Sequence, residues 1–296
     1  MTESSSQLFS LRAILYSQSE HFDYSGKFER MKSMKLKIVT LNCFDSPLSL
    51  NRGERIYSLI KRVISSRPDI VCFQEITFSR TAQNLEKLLG KNGYRISLNT
   101  GSVFNKGGLF IASLFPIIES QFYRFKNQGP FNSLQVTDRI LGKGFQKVTL
   151  LVNNNKVTLF NVHLAAVYIS KSESEKMTLE DQCNQLACSI IKDVGEIIVC
   201  GDFNFPPSNP LYSELLTLTK LIDASKDDGP ITVSKNNTNR QGLYKNGSDV
   251  KLDYTFVSYG LSKNISSRVI FDDLYEIKGK RVHLSDHFGL QTQLNI

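Results

Sequence analysis

The 296-residue chain has no tryptophan, four histidines and five cysteines, and no two of its cysteines form a CxxC pair. Without such a pair, structural zinc and dithiol redox chemistry are disfavoured. An odd cysteine number, with Cys72, Cys188 and Cys200 in apolar contexts, reads as buried reduced thiols rather than a disulfide framework. No run approaches the apolar length that spans a bilayer. The apolar N-terminal stretch from Leu8 to Tyr16 is broken by Arg12 and preceded by Glu3, which makes a poor secretory signal. The default expectation is a cytoplasmic protein with no transmembrane segment. Long tracts of one charge are missing too: the net +8 is spread over Lys27 to Lys37, Arg124 to Lys126 and Lys278 to Arg281. That balance suits an anionic partner (nucleic acid, phospholipid headgroup or phosphorylated metabolite) without choosing among them.

What is present suffices for a large core. With 41% hydrophobic residues and no internal repeat, one domain is expected over residues 35–296. Residues 1–34 are polar and aperiodic, an N-terminal extension with one short helix around Leu8 to Ser17. Leu36 to Asn42 alternates as a strand, and Ile56, Leu59, Ile60, Val63 and Ile64 share a helical face that ends at Arg67-Pro68. Asp69 to Glu75 is a second buried strand, followed by a helix through Leu85, Leu88 and Leu89 that stops near Gly90. Leu109 to Ala112 is a strand. Val148 to Val152 and Val157 to Val162 flank Asn153-Asn154-Asn155 as a hairpin. Thr178 is placed to cap a helix carrying Leu179, Cys183, Leu186, Ile190 and Ile191. A strand at Ile197 to Cys200, a helix near Leu211 to Leu218, and strands at Tyr254 to Val257, Val269 to Phe271 and Phe288 to Leu294 complete the set. Ser225 to Val250 is apolar-poor, a long loop or weak hairpin. Hairpins mixed with helical connections imply an α/β protein of two packed sheets with helices outside.

Several of these strands end in polar residues that their apolar runs do not require. Asn42 ends the first, Gln74-Glu75 the second and Asn161-Val162-His163 the hairpin strand. Gly201-Asp202-Phe203-Asn204 follows the Ile197 strand, and Leu252-Asp253-Tyr254 and Ser285-Asp286-His287 come near the C-terminus. Each alone has a bland reading: Asp202 and Asn204 suit an Asx turn before Pro206-Pro207, Glu75 an exposed strand end, His163 a satisfied core histidine. Strand ends converging at one edge of a sandwich would instead gather these acids, amides and histidines in a single cleft.

In this order the set resembles the endonuclease/exonuclease/phosphatase superfamily, the metal-dependent phosphodiesterases related to deoxyribonuclease I. The resemblance runs from Lys35 to Ile296, about nine-tenths of the chain. It implies a four-layered α/β sandwich with two packed, largely antiparallel sheets flanked by helices. It also implies roles. Asn42, Glu75 and Asp286 match the metal site, where oxygen ligands suit Mg²⁺, with Mn²⁺ as a substitute. His287 matches the catalytic histidine and Asp253 the acid that orients it. Asp202 and Asn204 match residues beside the attacking water and the scissile phosphate, and His163 a catalytic residue that contacts the phosphate. Either Asp202 or His287 is the base.

His163 is similar to the histidine of deoxyribonuclease I-like and sphingomyelinase-like members, where abasic-site nucleases carry tyrosine. Lys251-Leu252-Asp253-Tyr254 departs from the Trp-Cys-Asp-Arg of inositol polyphosphate 5-phosphatases. Gly107 to Ser113, Lys143-Gly144-Phe145 and His163 to Ala166 look like neutral sphingomyelinase segments, and Lys143 is placed to approach phosphate. The resemblance therefore implies a phosphodiesterase acting on a phospholipid headgroup, with peripheral membrane contact and a monomeric state. A deoxyribonuclease I-like nuclease is the alternative, and a non-catalytic binding module a third reading. No apolar hairpin suited to membrane insertion stands out.

Overall fold

The computed structural model describes residues 34–47, 49–130, 136–167, 172–225, 229–240 and 247–296. The helix expected near Leu8 lies outside the described residues. One six-stranded sheet contains β1 (Lys35–Asn42), β2 (Ile70–Gln74), β3 (Arg95–Thr100), β4 (Asn105–Ser113), β11 (Ser266–Ile270) and β14 (Gly289–Asn295), in the order β11-β14-β1-β2-β4-β3. The other contains β5 (Ile117–Arg124), β6 (Gly144–Val152), β7 (Asn155–His163), β8 (Glu196–Asp202), β9 (Ile222–Asp223) and β10 (Asp253–Val257), in the order β5-β6-β7-β8-β10-β9. A small hairpin pairs β12 (Tyr275–Ile277) with β13 (Lys280–Val282).

Each large sheet has a single parallel pair at its centre, β1 with β2 and β7 with β8, and is otherwise antiparallel. Parallel neighbours need a crossover. Helix α1 (Arg52–Ser66) makes the first and α4 (Glu173–Ile190) the second. Both strands of a parallel pair then end at the same edge, so Asn42 pairs with Gln74 and His163 with Asp202. The antiparallel strands β10 and β14 start at that edge, which brings Asp253 opposite Asp202 and leaves His287 just before β14.

Period-two alternation divides the core. Leu36, Ile38, Ile70 and Cys72 face Val157, Leu159, Ile198 and Cys200 between the sheets. Val39, Leu41, Val71 and Phe73 face outward to α1 and to α2 (Ser79–Gly90). Phe160, Val162 and Val199 face α4 and α5 (Pro210–Thr219). The result is the four-layered sandwich, and each fully buried Ile, Leu or Val contributes about 1.5–3 kcal/mol. Asn42, Gln74, His163 and Asp202 have the parity of the inward series, so apolar filling gives way to polar groups at one mouth of the sandwich.

Most expected elements are present. The hairpin turn is made by Asn153 and Asn154 with φ of 48° and 66°, as a two-residue turn between twisted strands requires. Two expectations are corrected. Helix α4 begins at Glu173, so Thr178 is inside it, its hydroxyl donating back to the Ser174 carbonyl at 2.8 Å instead of capping. Cys188 is exposed, while Cys43, Cys72, Cys183 and Cys200 are buried. Strands β3 and β5 and the short helix α3 (Val136–Leu141) lie beyond the expected set: β3 alternates, but with only Ile96 and Leu98 as its apolar residues, and β5 is largely exposed, which removes the apolar alternation there.

Candidate active site

The strand ends converge as the polar pattern implies. Asn42 donates from one amide nitrogen to Glu75 Oε1 and Asp202 Oδ2, both at 3.0 Å, and so ties the two sheets together at the mouth. Its Oδ1 accepts the Phe44 N–H at 3.1 Å. In this arrangement Asn42 braces two carboxylates, and the carboxylates themselves are the groups left to hold a cation. Glu75 is the first residue past β2, left-handed at φ 53°, which turns its half-buried side chain into the cleft. Gly108 packs against this turn: a Cβ there would sit 3.3 Å from the Glu75 Cα.

Asp202 is at the centre. Its Oδ2 lies 3.6 Å from His163 Nε2 and 3.8 Å from His287 Nε2, and its Oδ1 accepts the Asn204 N–H at 3.0 Å. That last contact is the expected Asx turn, with Asn204 left-handed at φ 54°. The turn therefore presents the site. Gly201 permits it, because any Cβ would meet the Val162 carbonyl oxygen of β7 at 2.0 Å. Asn204 itself donates to the Leu164 carbonyl at 2.8 Å.

The two histidines differ in state. His287 Nδ1 is 2.8 Å from Asp253 Oδ2. Burial pulls its pKa down, but the charges of Asp253 and Asp202 outweigh burial and hold it well above the ordinary value. Burial, with the nearby charges of Lys143 and His287, holds His163 well below it. Its Nε2 faces the Lys143 ammonium at 3.1 Å and accepts from it, which fixes the proton on Nδ1. Lys143 also donates to the Leu164 carbonyl at 2.8 Å. Neutral His163 thus orients the cation of Lys143 toward Asp202. The cleft pairs one imidazolium, one ammonium and one neutral imidazole around a buried carboxylate.

That carboxylate and Asp286 are both pushed up to about 6 by burial, Asp202 also by the charge of Asp253 and Asp286 by that of Glu75. Glu75 is likewise raised by burial, with Asp202 adding. Acids that raise one another form a donor set short of positive charge, and an all-oxygen set of this kind fits a hard divalent metal. Asp202, Asp253 and His287 also lie close enough to share an ion, but their mutual hydrogen bond uses His287 Nδ1.

Several supporting residues escaped the sequence reading. Buried Arg55 on α1 donates to the carbonyls of Leu50, Phe44 and Leu284 at 3.1, 3.0 and 2.6 Å, joining the loop after β1 to the Ser285-Asp286-His287 loop. Ser285 donates to the Asn42 carbonyl at 2.6 Å. Residues 229–240, read as polar loop, form a clamp. Thr232 Oγ1 accepts the N–H groups of Leu252 and Asp253 at 3.1 and 3.2 Å, and its carbonyl accepts the Phe288 N–H at 2.7 Å. Asn237 and Asn239 donate to the Ser285 carbonyl at 3.0 and 3.2 Å. Side chains bonding to distant backbone leave no periodic trace; the only signal is the density of asparagine from Asn236 to Asn239.

A profile of the endonuclease/exonuclease/phosphatase family matches residues 39–287. The chain belongs to this family. A Drosophila melanogaster protein provisionally named a neutral sphingomyelinase is 28% identical over 280 residues, 90% of this chain and 62% of that protein. The chain thus spans less than two-thirds of that relative's length. Among solved structures, sphingomyelinase C from Streptomyces griseocarneus superposes with a TM-score of 0.73 at 18% identity, covering 88% of this chain and 99% of that one. Truncated TDP2 from Caenorhabditis elegans gives 0.66 at 19% identity, covering 89% and 98%. At these identities both carry the fold of the family and no more.

Proposed function

We propose that the chain is a divalent-metal-dependent phosphodiesterase that hydrolyses a sphingolipid headgroup ester. The observation that carries hydrolysis is Asp202, a buried carboxylate with a histidine on either side at 3.6 and 3.8 Å. Such an acid, with its pKa raised to about 6, is suited to take a proton from water at neutral pH. His287 is already protonated in this environment, so it serves as a donor to a phosphate oxygen rather than as the base. Asp253 holds its ring and its charge. Lys143, oriented by His163, adds a second positive group for the equatorial oxygens, whose charge grows in the transition state. Asn204 closes the cleft beside the attacking water.

Glu75 and Asp286 are the carboxylates that would hold the metal, braced by Asn42. When bound there, a divalent cation such as Mg²⁺, or Mn²⁺ in its place, would neutralise charge on the phosphate oxygens and the leaving alkoxide. The sphingolipid class is supported by the likeness to the fly protein and by the Lys143–His163 contact at the end of β7. The test is release of phosphocholine from sphingomyelin with Mg²⁺, with Mn²⁺ and with EDTA, beside plasmid and single-stranded DNA arms. Metal-dependent release is expected. Turnover of DNA with none of sphingomyelin would overturn the lipid class, and no turnover of either with metal would overturn the hydrolase.

A further inference from the structure

Three exposed apolar side chains stand on two loops anchored to the chain that follows β2. Val103 and Phe104 form the tip of the β3–β4 hairpin at 58% and 37% exposure, and Leu50, in the loop after β1, is 71% exposed. Both segments are pinned to the chain around Glu75. The Ser79 N–H donates to the Val103 carbonyl and the Asn105 N–H to the Thr77 carbonyl, both at 2.9 Å, and the Asp45 N–H to the Glu75 carbonyl at 3.1 Å. Phe104 packs on Phe78 with ring centres 5.8 Å apart, and the Arg52 guanidinium covers the same Phe78 ring at 4.3 Å. The tip is thus a supported projection. Apolar groups clustered at the mouth of a polar cleft mark an interaction surface.

Basic charge predominates beside them. Residues 49–57, 77–84 and 100–107 contribute Arg52, Arg80 and Lys106 to this side. The acids on this side are Glu54, paired with Lys278 at 2.6 Å, and the buried Asp45, paired with Arg52 at 3.1 Å, which leaves Arg80 and Lys106 as its exposed cations. Next to the patch a groove of about 670 Å³ opens between α1 and α2, lined by Ile56, Ile60, Leu85 and Leu88, with Arg52 and Arg80 also on its walls.

We propose that this rim docks the protein onto an anionic phospholipid surface, with Leu50, Val103 and Phe104 entering the headgroup boundary while the exposed Arg80 and Lys106 meet lipid phosphates. The proposal rests on the reading of the cleft as one that acts on a membrane lipid, and it would hold Glu75 and Asp202 against the bilayer. Apolar tips and basic neighbours reinforce each other in such binding. A tip of two apolar residues is too short to stand out in the sequence, which is why no insertion hairpin is evident there.

The absence of tryptophan gives a direct test. Val103→Trp makes the chain's only indole, and its emission should shift to the blue on adding phosphatidylcholine vesicles containing phosphatidylserine. Val194→Trp, at a position 92% exposed before the opposite end of β8, should show no shift. Binding is read in EDTA, so turnover does not enter. Leu50→Asp/Val103→Asp should weaken vesicle co-sedimentation about tenfold or more and leave hydrolysis of a water-soluble phosphodiester unchanged. No lipid-dependent shift, or undiminished sedimentation of the double variant, overturns the proposal. So does a blue shift that rises with protein concentration alone, which would make the rim a contact between copies. Vesicle binding without sphingomyelin hydrolysis in metal would keep the docking surface and reject the substrate class; hydrolysis of detergent-dispersed sphingomyelin without vesicle binding would do the reverse.

Discussion

Gln74 on β2 and Asn161 on β7 meet between the two sheets, Nε2 to Oδ1 at 2.7 Å. Asn161 also donates to the carbonyls of Phe73 and Phe110 at 2.9 and 3.2 Å, and Gln74 to Thr40 Oγ1 at 3.0 Å. Both residues are fully buried. Gln74 immediately precedes Glu75, and Asn161 lies two residues before His163. The pair is therefore a polar crosslink under the floor of the cleft, and it sets how far Glu75 stands from His163.

Replacing Asn161 by leucine keeps the volume near constant but takes the amide donor from two buried carbonyls and one of three acceptors from the Gln74 amide. Orphaned buried polar groups cost about 1–3 kcal/mol each, and part of this is relieved by relaxation. A loss of about 3 kcal/mol in unfolding free energy is expected, read as a lower urea midpoint at unchanged slope. Catalytic rate should fall even well below the midpoint, because the two sides of the cleft lose their spacing. Full activity in Asn161→Leu would show that the crosslink serves stability alone.

Asp253→Asn tests the histidine. The carboxylate fixes the proton on Nδ1 of His287 and holds the ring's charge. An amide of the same shape removes the charge and offers a donor where an acceptor stood. We expect kcat to fall about 10²–10⁴-fold, with KM changed far less, since Lys143, Glu75 and Asp286 are untouched. A variant that loses substrate affinity and keeps kcat would assign Asp253 to binding instead.

Thr232→Val separates the clamp from the chemistry. Valine fills the same space but accepts no hydrogen bond, so the buried N–H groups of Leu252 and Asp253 lose their shared acceptor. The Thr232 carbonyl still holds the Phe288 N–H. The predicted result is a stability loss of about 2 kcal/mol with a lower kcat, and recovery of both in Thr232→Ser, which restores the hydroxyl. Failure of serine to rescue would place the effect in packing.

These outcomes mark where the sequence was legible. Leu36 and Ile38 lead to Asn42 on one face of β1, and Ile198 and Cys200 lead to Asp202 on one face of β8, so strict alternation carried the inward direction of each polar end. The central parallel pairs then brought the ends to one mouth. Edge strand β5 lacked that alternation because solvent covers much of it, and edge strand β3 carried it on Ile96 and Leu98 alone. The direction of the Asn42 amide was also illegible: whether it ligates or braces depends on the Phe44 N–H beyond the strand, a local turn at φ 50° with no sequence mark. Asn237 and Asn239 act on Ser285 across a gap of more than forty residues, and such contacts exist only once the sheets have closed.

His283 gives the clamp a pH dependence of known sign. Its Nδ1 faces the Thr238 N–H at 3.1 Å and accepts from it, a bond that requires that nitrogen to be unprotonated. Burial lowers its pKa below the ordinary 6.5, against the opposing charges of Asp272 and Asp273. As pH falls through the unfolded value of about 6.5, the unfolded chain binds a proton that the folded chain refuses. Stability therefore falls with acidification until the folded pKa is reached. His163 acts in the same direction, whereas Asp202 and Asp286, raised to about 6, favour the folded state as they protonate. The comparison that isolates His283 is thus with His283→Asn, whose amide oxygen can accept the Thr238 N–H at every pH. Urea midpoints from pH 7.5 to 5.5 should decline more steeply in the wild type than in the variant. Parallel declines would mean that Thr238 and the loop it begins release His283 before it titrates.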